Sequence, residues 1–501
     1  MKIAIINSKI DIAGCNIRRH LLKRLCTKDA DGEGRGGKEG TDKGIDAGIE
    51  DTIAFGDHKL LFLEADERLI YENGLDERTD CDLIIFISRH YSQNPTPALT
   101  VHTTGNYGKA MLGGNDRELA TAAPAMMHAV LNAMNRRLQA AAKENAAGKE
   151  GTDGKGQADM QADLGRYRLS YEVTHHGPTD LKTPSLFVEI GSTIDEWQDE
   201  EAGELVAGAV LDALSLDNDA LNDVIRLIGL GGTHYAARQT EISLDSKGAF
   251  GHIAHTREIA GITVSSIEHM IEKTHADAVY IDRKALNAQE LKRLESVIKE
   301  SVYADIPVLP EGEIKEIKDI SWENYVKIRE SVSEKFPKLN FRIFALTDKE
   351  SDSKKHAQKT PVISEIDPEL VAEAYKTDPK GTVDGMEKMK LAALFSKNGI
   401  LEPSFITYEE FGEQIINDLI SLCVKILHKE SGTAIEGDTL ILKKVRFDPA
   451  KATELGVPKG PSFGKLAAGF EINLNGKTIT PEMVSNQITK VIRIKGLEKY
   501  L

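Results

Sequence analysis

Five short apolar runs in this chain end in side chains that bind metals, move protons or hold oxyanions. Asp82–Ile87 is followed by Ser88-Arg89-His90, and Leu99–Val101 by His102-Thr103-Thr104-Gly105-Asn106. Leu169–Val173 leads into Thr174-His175-His176-Gly177-Pro178, and Leu186–Ile190 into Gly191-Ser192-Thr193. Arg226–Leu230 leads into Gly231-Gly232-Thr233-His234-Tyr235. Imidazoles and carboxylates suit zinc, and a metal-activated water attacks esters near neutral pH. Glu172 and Glu189 lie in or at the end of two of these runs. A carboxylate buried there is a metal ligand, a partner orienting a histidine or a general base. Ser88, Thr104, Ser192 and Thr193 suit the orienting of substrate. The glycine turns at Gly105, Gly191 and Gly231-Gly232 present amides that suit an oxyanion or a phosphate. Neighbouring side chains on an extended strand point to opposite sides. His175 and His176 therefore share one ion only if the strand has already ended, and one ring is expected in a site with the other beside it.

The elements that position these clusters follow from periodicity. Strand-like runs are read at Lys2–Ile6, Asp82–Ile87, Leu99–His102, Leu169–Val173, Leu186–Ile190, Arg226–Leu230 and Ala278–Ile281. Helical patterns are read at Ile17–Leu25, Thr121–Ala142 and Gly203–Leu214. Strands alternating with helices predict a three-layer α/β/α unit with a mixed, largely parallel sheet over residues 1–302. Ligands in such sheets bind beyond the carboxyl ends of the strands, so the five clusters are expected to face one crevice. Residues 303–360 read as a linker region, with Pro307 and Pro310 in it and a charged loop at Asp348–Thr360. Residues 361–501 read as a smaller α+β domain. It has a helix at Tyr408–His428, strands at Thr439–Val445 and Phe470–Leu474, and a hairpin turn at Asn475-Gly476.

Composition narrows the class. The 501 residues are 41% hydrophobic and 28% charged, as in a soluble globular protein. No apolar run approaches a membrane span, and the start MKIAIINSKI reads as a strand rather than a signal peptide. Four scattered cysteines predict neither a disulfide framework nor a thiolate zinc site, which points to a cytoplasmic protein. A monomer is expected. Residues 27–51 and 141–165 are polar, share the string GKEGTD and read as mobile insertions. Gly32–Lys38 imitates a phosphate loop, but lacks the hydroxyl residue after its lysine and the preceding strand. The net charge of -16 argues against a general nucleic-acid coat. The segment Ile441–Leu501 is different, with 11 Lys/Arg against 5 Asp/Glu.

At these clusters the sequence resembles the archaeal/plant-type D-aminoacyl-tRNA deacylases. The likeness runs through SRHYS (Ser88–Ser92), HTTGN (His102–Asn106), EVTHHGP (Glu172–Pro178), VEIGST with Trp197 after it, and GGTHYAARQT (Gly231–Thr240), with Gly251-His252 as a weaker element. The resemblance implies a phosphorylase/hydrolase-like fold and a Zn2+-dependent carboxylic ester hydrolase that removes D-amino acids from mischarged tRNA. His90, His102, His175 and His234 are then the expected metal ligands. Glu172 is the expected base or a partner to a ligand, and His176, Thr104 and Ser192 are the other catalytic candidates. His176 would face the terminal adenosine or ribose. Ser88, Arg89, Asn106, Gly191, Thr193, Thr233 and Tyr235 are the expected substrate-binding residues. The chain after about Val302 exceeds the usual length of that family. Within it, Glu454–Val484 is similar to the LGVPxGPxFGKL segment of the tRNA 3′-processing ribonuclease of the Z type. No H-x-H-x-D-H motif accompanies it, so nuclease chemistry is not implied. Lys459 and Lys465 are the candidates for holding tRNA there. The residues alone leave two alternatives open: a zinc hydrolase or phosphorylase of a small substrate, and a non-catalytic RNA-binding protein.

Overall fold

A strand buried on both faces needs apolar residues throughout, and KIAIINS at Lys2–Ser8 (β1) is nearly that. The computed structural model describes residues 1–27, 49–93, 95–149, 164–349, 357–429 and 432–501. Most of both expected insertions, and the phosphate-loop imitation at Gly32–Lys38, lie outside the described residues. β1 is central in a seven-stranded sheet with β2 (Ile49–Phe55), β3 (His58–Ala65), β4 (Leu83–Tyr91), β5 (Ala98–His102), β6 (Arg168–Tyr171) and β7 (Ser185–Ser192). The order is β2-β3-β1-β4-β7-β5-β6. The pairs β1–β3, β1–β4, β4–β7 and β5–β6 are parallel, while β2–β3 and β5–β7 are antiparallel. The sheet is thus mixed and mostly parallel. The β2–β3 pair is absent from the sequence reading, because its first strand emerges from a polar stretch with little alternation.

Alternation within the strands decides which residues meet on each face. Ala4, Ile6, Ile84, Phe86 and Phe187 share one face with Leu69, Leu75 and Leu181, and the Phe86 and Phe187 rings stack at 4.5 Å. The short helix α2 (Leu75–Thr79) and irregular segments cover that side. On the helical side, α1 (Ile12–Thr27) and α3 (Pro124–Lys149) both pack on α5 (Glu200–Leu214). Asp199 caps α5 through the amides of Glu201 and Ala202. The short helix α4 (Ile194–Trp197) precedes it. After α6 (Asn218–Asn222), a second sheet forms from β8 (Ile225–Leu230), β9 (Gly248–Ala254) and β10 (Ala278–Ile281), all parallel in the order β10-β8-β9. Helices α7 (Ala237–Asp245) and α8 (Val264–Thr274) make its crossovers, and α8 and α9 (Ala288–Glu300) build its core with Met270, Leu294 and Ile298.

Contacts divide the chain into two compact units, Met1–Lys318 and Asp319–Leu501. The first therefore runs past residue 302, because α10 (Glu311–Glu316) packs on α7 and buries Ile314. Among its described residues, the expected linker at 303–360 holds helices and a strand. α11 (Trp322–Lys335) buries Tyr325, Ile328 and Val332, and buried Asp348 accepts from the Ser321 amide at 2.9 Å and hydroxyl at 2.8 Å. The prolines read as linker punctuation merely end one element and begin another.

In the second unit, β11 (Asn340–Ile343), β12 (Pro361–Glu365), β13 (Ala392–Phe395) and β14 (Leu401–Tyr408) form an antiparallel sheet ordered β11-β13-β14-β12. Helices α12 (Pro368–Thr377), α13 (Pro379–Met386) and α14 (Gly412–His428) share a core with Leu440, Leu442 and Ile492. Those residues come from the sheet of β15 (Thr433–Glu436), β16 (Thr439–Phe447) and a last long strand. Between them α15 (Pro449–Glu454), α16 (Pro461–Ala467) and the hairpin β17 (Ile472–Leu474) and β18 (Lys477–Ile479) surround a satellite core. The hairpin turns at Asn475-Gly476, both with positive φ, before β19 (Ser485–Arg493). No helix among the described residues is long and apolar enough to cross a membrane.

Candidate active site

The segment after β6 stitches the two sheets of the first unit together. Glu172 donates its amide to Val101 O at 3.1 Å, at the end of β5. Val173 donates to His234 O at 3.0 Å, in the turn after β8, and Thr174 to Ile253 O at 2.9 Å, in β9. Thr174 also lies beside the buried His252, whose Nδ1 meets Thr174 Oγ1 at 3.2 Å and whose Nε2 meets Ala120 O at 2.9 Å. This stitching brings strand-exit residues from distant parts of the chain to one place.

Glu172 stands at the centre. Its side chain is wholly buried, with His90 Nδ1 3.0 Å from Oε1, His234 Nε2 2.8 Å from Oε2 and His175 Nε2 3.7 Å from Oε2. None of these approaches completes a hydrogen bond to either oxygen. Glu189, on β7, accepts from Ser88 Oγ at 2.6 Å and lies 3.7 Å from both His90 Nδ1 and His102 Nε2. Tyr235 OH meets His90 Nε2 at 3.1 Å, and the Trp197 indole donates to His90 O at 3.0 Å. Gly191 pairs with His90 across β4–β7, and a Cβ there would lie 2.6 Å from His90 Cβ. The glycine is needed for close approach.

His175 and His176 are expected to share one ion only if the strand has already ended, and that condition is met. β6 ends at Tyr171, and His176 adopts a left-handed φ of 45°. The two rings lie 4.4 Å apart, and His102 is 4.5 Å from His175 and 4.9 Å from His176. The four expected metal ligands therefore divide. His102 and His175 join His176, while His90 and His234 join Glu172; within each set the ligand atoms lie within 4.8 Å of one another.

Charge follows the carboxylates rather than the two sets. Burial opposes ionisation of His90, but Glu172 and Glu189 outweigh it and push the imidazole up to about 11. His102 is raised in the same way against its burial, chiefly by Glu189. Burial and the neighbouring imidazoles hold His175 well below the usual range, and burial with His102 brings His176 down to about 4. Both carboxylates are held below their usual range, because the surrounding histidines outweigh burial.

Other expected site residues serve the scaffold. Thr104 Oγ1 donates to Pro178 O at 2.5 Å, and Ser192 Oγ donates to Thr96 O at 2.6 Å. Thr193 caps α4 with Glu196, and Asn106 spends its amide on Gly113 O and Asn115 O. Thr233 is exposed at the surface. The glycine amides read as an oxyanion cradle already donate: Gly105 to His176 O, Gly231 to Ala254 O and Gly232 to Thr256 Oγ1. Arg89 lines a cavity, with its guanidinium over the Trp197 ring at 5.2 Å. Lys459 and Lys465 are exposed in the second unit.

Two cavities meet at His175, His176, His234 and Leu112. One of about 260 Å³ has Asp11, Leu69, Ile70, Ser88 and Phe187 in its wall. The other, about 360 Å³, has Tyr107, Lys109, Met111, His255 and Arg257. Asp11, Arg68 and Leu112 are missing from the sequence reading. The β1 exit carries no histidine, and a search for reactive strand ends built on imidazoles passes over it.

Residues 77–304 match the family described as D-aminoacyl-tRNA deacylase. A D-aminoacyl-tRNA deacylase of Methanoculleus marisnigri is 41% identical over 501 residues, spanning all of both chains. This chain belongs to the D-aminoacyl-tRNA deacylase family. It is an enzyme of that type. A deacylase of Methanosphaerula palustris is 40% identical, again over the full length of both, so the long second unit is shared within the family. A deacylase of Methanosarcina mazei is 33% identical over 321 residues, covering 63% of this chain and 94% of the relative. That length is close to the first unit of this deacylase. The crystal structure of a conserved protein of unknown function is similar over the same share, 63% of this chain and 97% of the other, with a TM-score of 0.50 and 31% identity.

Proposed function

We propose that the histidine–carboxylate crevice hydrolyses the ester joining a D-amino acid to the 3′ end of tRNA, releasing the free D-amino acid and clearing mischarged tRNA. The observation that carries this reading is Glu172: a wholly buried carboxylate, both oxygens without a completed hydrogen bond, beside the histidines where two cavities meet. Its neighbouring imidazoles keep it ionised at neutral pH, the state in which a carboxylate can accept a proton. Glu172 takes the proton of the attacking water as the water oxygen bonds to the ester carbonyl carbon. His234 Nε2 gives a proton to the departing 3′ oxygen as the ester C–O bond breaks, and Glu172, 2.8 Å away, restores it. His90 holds Glu172 ionised, and Tyr235 fixes the His90 ring. Ser88 orients Glu189 against His102.

The donor set fits zinc. His102, His175 and His176 converge, and His102 Nε2 is buried with no hydrogen-bond partner. A metal needs neutral imidazoles: His175 and His176 are already held neutral, and His102, raised by Glu189, would release its proton on binding, whereas His90 is held charged by two carboxylates. We therefore assign the metal to His102, His175 and His176. Bound there, zinc would supply Lewis acidity that eases ionisation of a water and polarises the ester carbonyl.

We also read the first unit as phosphorylase/hydrolase-like, supported by its open mixed sheet and the helices α1, α3 and α5 on one face. The basic end of the second unit is assigned to the tRNA body. Its support is the 11 Lys/Arg against 5 Asp/Glu in Ile441–Leu501 and the exposure of Lys459 and Lys465. Deacylation of matched D- and L-aminoacyl-tRNA, with and without a chelator, tests the reading. Rapid loss of the D ester alone, abolished by metal removal, is expected. Equal loss of both esters would sink the chiral reading, and full activity after complete metal removal would sink the zinc assignment.

A further inference from the structure

In an open α/β sheet the ligand crevice lies where successive connections leave a strand in opposite directions. Here that strand is β1, flanked by β3 on one side and β4 on the other. The cavity of about 260 Å³ sits there, walled by Ser8 and Asp11 after β1, Leu69 and Ile70 after β3, and Ser88 of β4. Asp11 is 7% exposed. Its Oδ1 accepts from the Gly14 amide at 2.9 Å and its Oδ2 from the Arg89 amide at 3.0 Å. β1 pairs with β4 only as far as Ile6 and Phe86, so the carboxylate takes over the ladder beyond the end of β1. It is thereby fixed one residue from His90, on the stretch of β4 whose Ser88 and His90 side chains reach Glu189 and Glu172.

Asp11 makes no close ion pair among the described residues; the Arg89 guanidinium lies over Trp197 and acts on the carboxylate only at longer range. A carboxylate accepts about four hydrogen bonds, and two donors leave part of that capacity open. A buried charge left so is costly until a cation completes it. Burial raises the Asp11 pKa against its amide donors and the Arg89 charge.

We propose that Asp11 anchors the α-ammonium group of the bound aminoacyl ester, and that the cavity beyond β1 is the aminoacyl pocket. This rests on the deacylase reading above. The ammonium is the one cation of the aminoacyl group that every such substrate carries, and it is joined through Cα to the carbonyl carbon under attack. With the ammonium at Asp11 and the carbonyl at His234, in front of Glu172, Leu69, Ile70 and Phe187 remain as an apolar wall for the side chain. Two fixed points on either side of Cα are what a site needs in order to sort side chains by hand.

The test compares D-tyrosyl-tRNA with its α-hydroxy analogue, in which a hydroxyl replaces the ammonium, using full-length wild type and Asp11→Asn. Each kcat/KM is divided by the spontaneous hydrolysis rate of the same ester. Wild type is expected to prefer the ammonium ester by about 10- to 100-fold, and the variant to lose most of that preference. Equal slowing of both esters by D11N, with the preference intact, would show that Asp11 only ties the β1–α1 turn to β4 and would overturn the proposal. If D11N fails to fold, the wild type still decides, because equal cleavage of the two esters overturns the proposal. A wild type that cleaves neither ester would refute the deacylase reading itself.

Discussion

The imidazoles on the two sides of this crevice are the same side chain put to opposite uses. His90 lies against two carboxylates and is held charged, while His175 and His176 crowd one another and are held neutral. Burial acts on all three in the same direction, so neighbours decide the difference. A charged imidazole keeps a buried base ionised, and a neutral one is a metal ligand. The lesson is that a cluster of histidines is not one site by residue type; it divides according to where the carboxylates stand.

The largest effect should come from the carboxylate that stands among His90, His234 and His175. Glu172→Gln keeps the shape but not the proton acceptor, and a loss of about 10³-fold in kcat is expected at unchanged zinc content. Near-normal turnover in single-turnover assays would move the base elsewhere. Next, His90→Ala removes the charge that holds Glu172 low. The Glu172 pKa then rises, and the acid limb of the kcat/KM profile shifts to higher pH, with a loss of about 10- to 100-fold at neutral pH. An unshifted acid limb would contradict the pairing.

A smaller effect is expected at the support of the neutral set. Buried His252 holds Thr174, the residue before His175, and burial pushes its pKa down to about 3. Its folded pKa lies below the usual value of 6.5. Below that value the unfolded chain binds a proton that the folded chain refuses. Stability is therefore lost as pH falls through the window from about 6.5 to about 3, and is flat above it. Between pH 7 and pH 4.5 this is worth roughly 2–3 kcal/mol, and His252→Gln should remove that share of the slope in urea titrations. The smallest effect on chemistry is expected from the second unit. Deleting Asp319–Leu501 should weaken tRNA binding and flatten its salt dependence, while kcat at saturation survives. The deletion must start at Asp319, because Ile314 and Ile317 belong to the core of the first unit. An unchanged salt slope would make that unit structural.

Much of the crevice was legible in the sequence, because each cluster follows its own strand and needs only local pattern to be seen. The strand at Ala278–Ile281 and the turn at Asn475-Gly476 stand as read. The division of the histidines was not legible. It depends on β6 ending at Tyr171 and on one left-handed residue, His176, and neither leaves a glycine signal. Ser192 and Thr104 have the right chemistry, yet spend it on Thr96 and Pro178, residues no local pattern links to them, while Thr193 is taken up by the Thr-x-x-Glu capping box with Glu196. Asp11 was invisible for the converse reason: an ordinary aspartate before a helix becomes notable only when β1 is seen to end beside Arg89.

The most direct test of the division is zinc stoichiometry measured beside turnover in His175→Ala and His90→Ala. The expected result is that H175A loses both bound zinc and deacylation of D-aminoacyl-tRNA, while H90A keeps its zinc and loses turnover. Zinc retained in H175A but lost from H90A would contradict the assignment and place the metal with Glu172 and His234.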